Sequence, residues 1–359
     1  MSQLQRRLPS GARRAGAPRT NCEALVALAV AGQVANALVR GGAYRIGRDG
    51  VLRIVPGTGG IALNKRIGDR AVGLAADHVE PGVSVRNNDR EASGNPGAPN
   101  RGLLLYSCIG NVATVVSGPA AGAVGTVTGK HGGINNLLID FPRAVVRRLR
   151  IGDRIQVTAV GQGLKLPDYP AVRAMNLAPR LLARWGVRGH RHHLHVPVTH
   201  IVPAGIMGSG LGRQEGVFGD TDIQLSDPEL RRRFRLHALR FGDLVAICGM
   251  DARFGASRRG GAITVGVVVH SDSNVAGHGP GVTPLLISTS GGILPVYSPD
   301  ANIALVLGVR RRIAPAIPPS AEERSLVWRR AAQPALAAGR PRALPPARPS
   351  PSASRNLFL

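Results

Sequence analysis

The chain of 359 residues carries a net charge of +25 and is 43% hydrophobic but only 3% aromatic, with 47 glycines and 27 prolines. That length suffices for one large domain or two ordinary ones, and the glycine and proline load argues for strands and turns against a helical bundle. The charge does not mark a nucleic-acid surface, because much of it lies in residues 1–20 and 310–359; a phosphate-binding face gathers its cations on one surface with aromatics to stack bases.

Residues 1–20 are rich in Arg, Pro and Ala without apolar periodicity, and read as a disordered basic tail. The next apolar run, ALVALAV, follows arginines and precedes Ala35-Asn36-Ala37, as a signal peptide would. It is short, however, and Asn21-Cys22-Glu23 interrupts its approach, so a strand is expected. Further strands are expected at LRIV, AVGLAA, LLLYS, VATVVS, NLLIDF, DRIQVTAV, VPVTHIV, DLVAIC, AITVGVVVH and PLLIST. Residues 118–158 read as a small barrel unit and are similar in outline to the KOW-type modules of ribosomal and transcription proteins.

Helices are expected to be few. One follows Pro142, one is capped by Asn176 and stopped by Gly186, and one starts at Ser226-Asp227-Pro228-Glu229. GVRGHRHHLH, with His190, His192, His193 and His195, reads as an exposed linker over 187–196. Residues 312–359 return to Arg, Pro and Ala and read as a second disordered tail. The expected architecture is therefore β-rich α+β, with small barrel-like or sandwich units and few short helices. Its N-terminal domain covers 21–186 and its C-terminal domain 197–311. No apolar run reaches the roughly 18 residues of a membrane span. The widely spaced Cys22, Cys108 and Cys248 form no disulfide framework, which suits the cytoplasm.

Chemistry-bearing residues gather at strand ends. In AADHVEPG an extended backbone places His78 and Glu80 on one face and Asp77 on the other. In GDTDIQ, Asp220 and Asp222 alternate with period two and point to one side, as a cation requires. The valine run at 265–269 ends in His270, Ser271 and Asp272, and GHGPG then carries His278. His270 and Asp272 share a face if the strand continues, and a turn alone does not account for two histidines. MGSGLG at 207–212 offers backbone N–H groups to an anion. Lys130 and Lys165 are two of only three lysines, both in glycine-rich stretches, so a compact ammonium is expected to serve there. Cys108 reads as a buried structural thiol, while Gly68-Asp69, Gly152-Asp153 and Gly242-Asp243 read as turns.

The runs DHVEPGVS, SCIGN, GKHGG, GQGLKL, MNL, MGSGLG, GDTDIQ, LRFGDLVAI, VGVVVHSD and GHGPGV, in this order over roughly 23–309, resemble an uncharacterised prokaryotic domain-of-unknown-function family. The C-terminal order GDTDI, RFGDLVAI, GAITVGVVVH also resembles the acetamidase/formamidase-type amidohydrolases, β-rich enzymes that cleave small amides with a bound metal. Their GDGHAAQGDGE-like stretch has no close counterpart here, so that likeness implies fold alone. The expected function is hydrolysis of an amide-type C–N bond in a small molecule by a homo-oligomeric enzyme. A divalent ion (Zn, Mn or Mg) is expected on Asp220, Asp222, His270 and Asp272, with His278 and His78 as further ligands. Lys130 or Lys165 is expected to stabilise an oxyanion, and Glu80 or His131 to move protons. The alternative is a non-enzymatic β-barrel protein that binds RNA or another ligand.

Overall fold

The computed structural model describes residues 16–39, 42–55, 57–89, 97–212 and 216–331. In the first half, six strands close a barrel in the spatial order Leu28–Val34, Val83–Arg86, Asn136–Asp140, Val124–His131, Val112–Val115 and Arg154–Ala159. Every neighbouring pair is antiparallel. Arg154–Ala159 shows why such a sequence makes a barrel wall. Ile155, Val157 and Ala159 are buried, while Arg154, Gln156 and Thr158 face solvent. The 118–158 unit contributes three of the six strands, and the short helix Arg143–Val146 follows Pro142.

Two barrel strands depart from alternation. Asn136–Asp140 is buried throughout, against the helix Ala98–Tyr106 among others, and Val124–His131 is nearly so, because the second half of the chain packs on it. Close approach depends on Gly129, where a Cβ would stand 2.6 Å from Val269 Cγ1. The ladder is bulged between Val127 and Gly129, and such a bulge re-aims the residues beyond it, here Lys130 and His131.

The second half is a sheet in the order His200–Pro203, Leu244–Asp251, Ser257–Val268, Gly281–Ser288, Thr221–Asp222, with Val172–Ala174 also pairing to Gly281–Ser288. Its central strands are apolar on both faces. Leu244, Ala246, Val265 and Val267 join the core shared with the barrel, whereas Val245 and Ile247 pack into a second core on the other side.

Three boundaries differ from expectation. Residues 187–196 form no linker. Arg188–His190 and His193–Val198 make a hairpin whose second strand runs parallel to Ile293–Tyr297. The alternating Leu194, Val196 and Val198 are buried and drive this pairing, with His192 and His193 left at the exposed turn. Part of the C-terminal tail is also ordered: a helix spans Ala321–Ala331, and Glu323 pairs with the buried Arg235. Residues 16–20 dock as well, Arg19 pairing with Asp168 and the Gly16 carbonyl accepting from Gly189 N–H at 2.7 Å. Residues 1–15 and 332–359 lie outside the described residues.

Among the helices, Asp227 caps Pro228–Arg233 by accepting from the Glu229 and Leu230 N–H groups. Gly186, at φ 83°, stops Pro179–Trp185. Asn176 caps nothing, because its side chain is buried in another network. No helix among the described residues is long and apolar enough to cross a membrane.

Candidate metal centre

Four segments meet where the barrel and the sheet touch. The loop before barrel strand Val83–Arg86 carries Asp77, His78 and Glu80, and the end of Val124–His131 carries His131. Asp220 and Asp222 enter on the short strand Thr221–Asp222. His270 and His278 bracket the connection from Ser257–Val268 to Gly281–Ser288.

The polar tract after the valine run ties two loops together. Ser271 N–H donates to the Val79 carbonyl at 3.0 Å, and Val79 N–H donates back to Ser271 Oγ at 2.8 Å. The Asp272 carbonyl accepts from His78 N–H at 3.1 Å, and Ser273 Oγ donates to Asp77 Oδ1 at 2.5 Å. His78 takes a left-handed conformation, φ 52°, at this crossing, so the extended-backbone expectation fails here. Asp77 lies beside the His78 ring, not across from it. Asp272 also departs from expectation. The strand ends at Val268, and the Asp272 carboxylate turns to Gly73 N–H at 2.8 Å, away from His270.

Three imidazoles are held by Nδ1 in one sense. His270 Nδ1 lies 2.9 Å from the Ser271 carbonyl, which can only accept, so Nδ1 carries the proton. His131 Nδ1 lies 2.6 Å from Glu80 Oε1 and His78 Nδ1 lies 3.1 Å from Asp77 Oδ2. Burial pushes the Glu80 carboxyl up, but the His131 contact together with Ser84 and Asn136 holds it below its ordinary value. Burial likewise opposes ionisation of Asp77, yet His78, Ser273 and Arg45 bring it down to about 2. Both carboxylates are therefore acceptors, and their histidines turn Nε2 the other way, which for His78 meets His278 Nδ1 at 3.0 Å. A carboxylate or carbonyl behind the far nitrogen is the arrangement that orients metal-ligating histidines.

The Nε2 atoms converge on two aspartates. His270 Nε2 stands 2.8 Å from Asp220 Oδ2, yet both are buried and neither has a hydrogen-bond partner among the described residues. The distance suits an ion pair, but the angles do not suit a hydrogen bond. Asp220 Oδ1 is already used, accepting from Gly132 N–H at 2.8 Å. Asp222 Oδ2 is 3.1 Å from His278 Nδ1 and 3.7 Å from His78 Nε2, and Asp222 Oδ1 is 3.5 Å from His270 Nε2. Burial raises the Asp222 carboxyl, but His270, His278 and His78 together hold it well below its usual range. Burial depresses the His270 imidazole, and Asp220 and Asp222 more than reverse this. Between Nε2 and Oδ2 the site needs a positive charge, either a proton or a cation.

The cluster opens into a cavity of about 720 Å³, lined among others by Arg45, Asn135, Ser209 and Phe218 and by backbone at Gly132, Gly133 and Gly219. A Cβ at Gly219 would stand 2.5 Å from Gly132 Cα, so the two loops that bear Asp220 and His131 touch only because glycine sits there. The lysines sit elsewhere. Lys130 Nζ is wholly buried and donates to Asn176 Oδ1 and the Val217 carbonyl, while Lys165 is exposed. The 207–212 loop spends its N–H groups internally, Gly208 on the Asp222 carbonyl and Ser209 on the Gly277 carbonyl. Cys108 is fully buried.

Residues 44–183 match the N-terminal profile of DUF4438, a domain of unknown function, and residues 184–307 match the C-terminal profile of the same family. The chain belongs to the DUF4438 family. Among solved structures, it is similar to the crystal structure of TM1086, with 42% identity and a TM-score of 0.75 over 80% of this chain and 99% of that one. No curated protein matches it. The two DUF4438 profiles meet at residues 183 and 184, and the histidine–aspartate cluster draws on both sides of that boundary.

Proposed function

We propose that this DUF4438 protein is a hydrolase that uses a divalent cation to cleave an amide-type C–N bond in a small polar molecule. One observation carries the reading: the buried His270 Nε2 and Asp220 Oδ2 face each other at 2.8 Å without a hydrogen bond, and the proton of His270 is committed to the Ser271 carbonyl. The pair needs a positive charge between Nε2 and Oδ2, and a coordinated cation would supply it in place of a second proton on the ring. A donor set of imidazoles and carboxylates suits zinc or manganese better than magnesium. A cation bound there lowers the pKa of a water and polarises a carbonyl.

The chain's own groups supply the rest. Asp77 and Glu80 fix the tautomers of His78 and His131, and the glycine backbone at 132, 133 and 219 lets a substrate come close to the cluster. The cavity falls within the roughly 300–1,000 Å³ typical of small-molecule sites. The amide class is the narrowest part of the proposal, since the motif order shared with the acetamidase/formamidase-type enzymes implies fold alone. That Cys22, Cys108 and Cys248 form no disulfide supports a cytoplasmic setting.

The test uses untagged protein, because a histidine tag would bind metal itself. Elemental analysis is expected to find bound zinc or manganese. Release of ammonia from a panel of small primary amides is expected to stop with chelator and return with the cation. His270→Ala is expected to remain folded by circular dichroism and to lose most of the metal. Unchanged metal content in that variant, or wild-type protein with none, overturns the reading.

A further inference from the structure

The six donor side chains do not form a single set. His131, Asp220 and His270 make one triad and His78, Asp222 and His278 another, and within each triad the ligand atoms lie within 4.8 Å of one another. One cation with ligands at about 2.0–2.2 Å can take donors at most about 4.4 Å apart, and zinc ordinarily takes four. A single ion therefore leaves part of this buried donor set unused.

Asp222 relates the triads. Its Oδ2 faces His278 at 3.1 Å and His78 at 3.7 Å, whereas its Oδ1 faces His270 of the other triad at 3.5 Å. One carboxylate thus offers an oxygen to each side, as a bridging ligand does. The space beside the first triad is kept open by Gly281, whose hypothetical Cβ would collide with both Asp220 Oδ2 and His270 Nε2. Those two atoms are the unpartnered buried pair, with the His270 and Asp220 side chains only 1% and 4% exposed. Each triad also has its own outer support. Glu80 stands behind His131 and the Ser271 carbonyl behind His270, while Asp77 stands behind His78.

We propose that the site holds two divalent cations, one between His131, Asp220 and His270 and the other between His78, Asp222 and His278, with Asp222 shared by both. This rests on the reading of the cluster as a metal centre and extends it. Two dications side by side repel, and a shared carboxylate between them offsets part of that repulsion. Asp220 and Asp222, with Asp77 and Glu80 behind the histidines, place four carboxylates around the four positive charges of such a pair, which suits the site to a neutral or weakly charged substrate whose developing oxyanion the cations would stabilise.

The experiment titrates chelator-stripped full-length protein with Mn(II), reads stoichiometry by calorimetry and elemental analysis, and records electron paramagnetic resonance of the loaded protein. Wild type is expected to bind about two ions per chain with an exchange-coupled spectrum. His131→Ala and His278→Ala are each expected to bind about one ion and to show an uncoupled signal. The wild-type spectrum tests the proposal even if a variant fails to fold, which circular dichroism reports. One ion per wild-type chain, two uncoupled ions, or folded single variants that lose all manganese together overturn the two-cation site. Wild-type protein that binds no cation overturns the metal centre itself. Two coupled ions without amide hydrolysis sustain this proposal and overturn only the hydrolase reading.

Discussion

The ammonium of Lys130 lies wholly inside the protein, 2.7 Å from Asn176 Oδ1 and 2.8 Å from the Val217 carbonyl. Asn176 in turn donates to the Gly216 and Pro284 carbonyls. Lys130 thus fastens the 216–218 segment that leads to Asp220. Burial without a carboxylate partner brings its pKa down from 10.5 to about 8. Between those values the unfolded chain binds the extra proton and the folded chain does not, so stability rises with pH from about 8 to 10.5, by at most about 1.4 kcal/mol per unit. Lys130→Met is expected to remove that rise. Denaturant unfolding at pH 7.5 and pH 10 checks it, and a wild-type advantage that does not grow toward pH 10 refutes it. Scarcity of lysine singled out Lys130 and Lys165 alike, and only Lys130 is buried. Its direction depended on strand register after the bulge at Val127–Gly129, which residue types do not encode. The same limit applies to His131 and Glu80: both were legible as chemical groups, but their mutual hydrogen bond joins positions 51 residues apart.

At the scale of elements, the three Gly-Asp turns are one device used three times. Each reads Arg-x-Gly-Asp, at 66–69, 150–153 and 240–243. In each the glycine has positive φ and the aspartate side chain accepts from the N–H of the arginine three residues before it. Context separates them. The Asp153 side chain accepts from Arg150 N–H at 2.8 Å, whereas Asp243 also holds the guanidinium of Arg240 and Asn302 Nδ2 in a fully buried network. Asp243→Ala is expected to cost about 3–5 kcal/mol by stranding a buried arginine. Asp153→Ala is expected to cost about 1–2 kcal/mol for one unmatched donor. Chemical denaturation of both variants checks the order, and equal losses would show that the buried pair adds nothing. Such turns were legible because their cause is local, as were the valine strand and the Gly186 stop. The failures came where periodicity was carried past an element's end. Asp272 was placed on the face of His270 by a strand that stops at Val268, and the histidine tract at 190–195 hid the Leu194, Val196, Val198 pattern beneath it.

The whole molecule is held partly by a segment whose composition resembles a tail. Glu323 is buried, pairs with Arg235 at 2.5–2.8 Å, and accepts from Ile201 N–H at 3.2 Å. Glu323→Ala is expected to lower stability by about 3–5 kcal/mol, since Arg235 remains inside without its counter-charge. A melting temperature equal to wild type would show that the Ala321–Ala331 helix is not docked in solution. Composition hid this helix because its docking rests on single residues, the buried Glu323 and the half-buried Leu326, which packs against both cores.

The boundary between the two matched halves, at residues 183 and 184, runs through the middle of both triads. His131 and His78 come from the first half, and their partners Asp220, His270, Asp222 and His278 from the second. Neither half alone can assemble either triad. In evolutionary terms the halves are therefore not interchangeable modules: recombination that replaced one would have to restore the side chains it contributes to the cluster. On the proposed reading of the cluster, selection is expected to act across the boundary, constraining substitutions near His131 and near Asp220 jointly although the two lie in separate stretches of the gene.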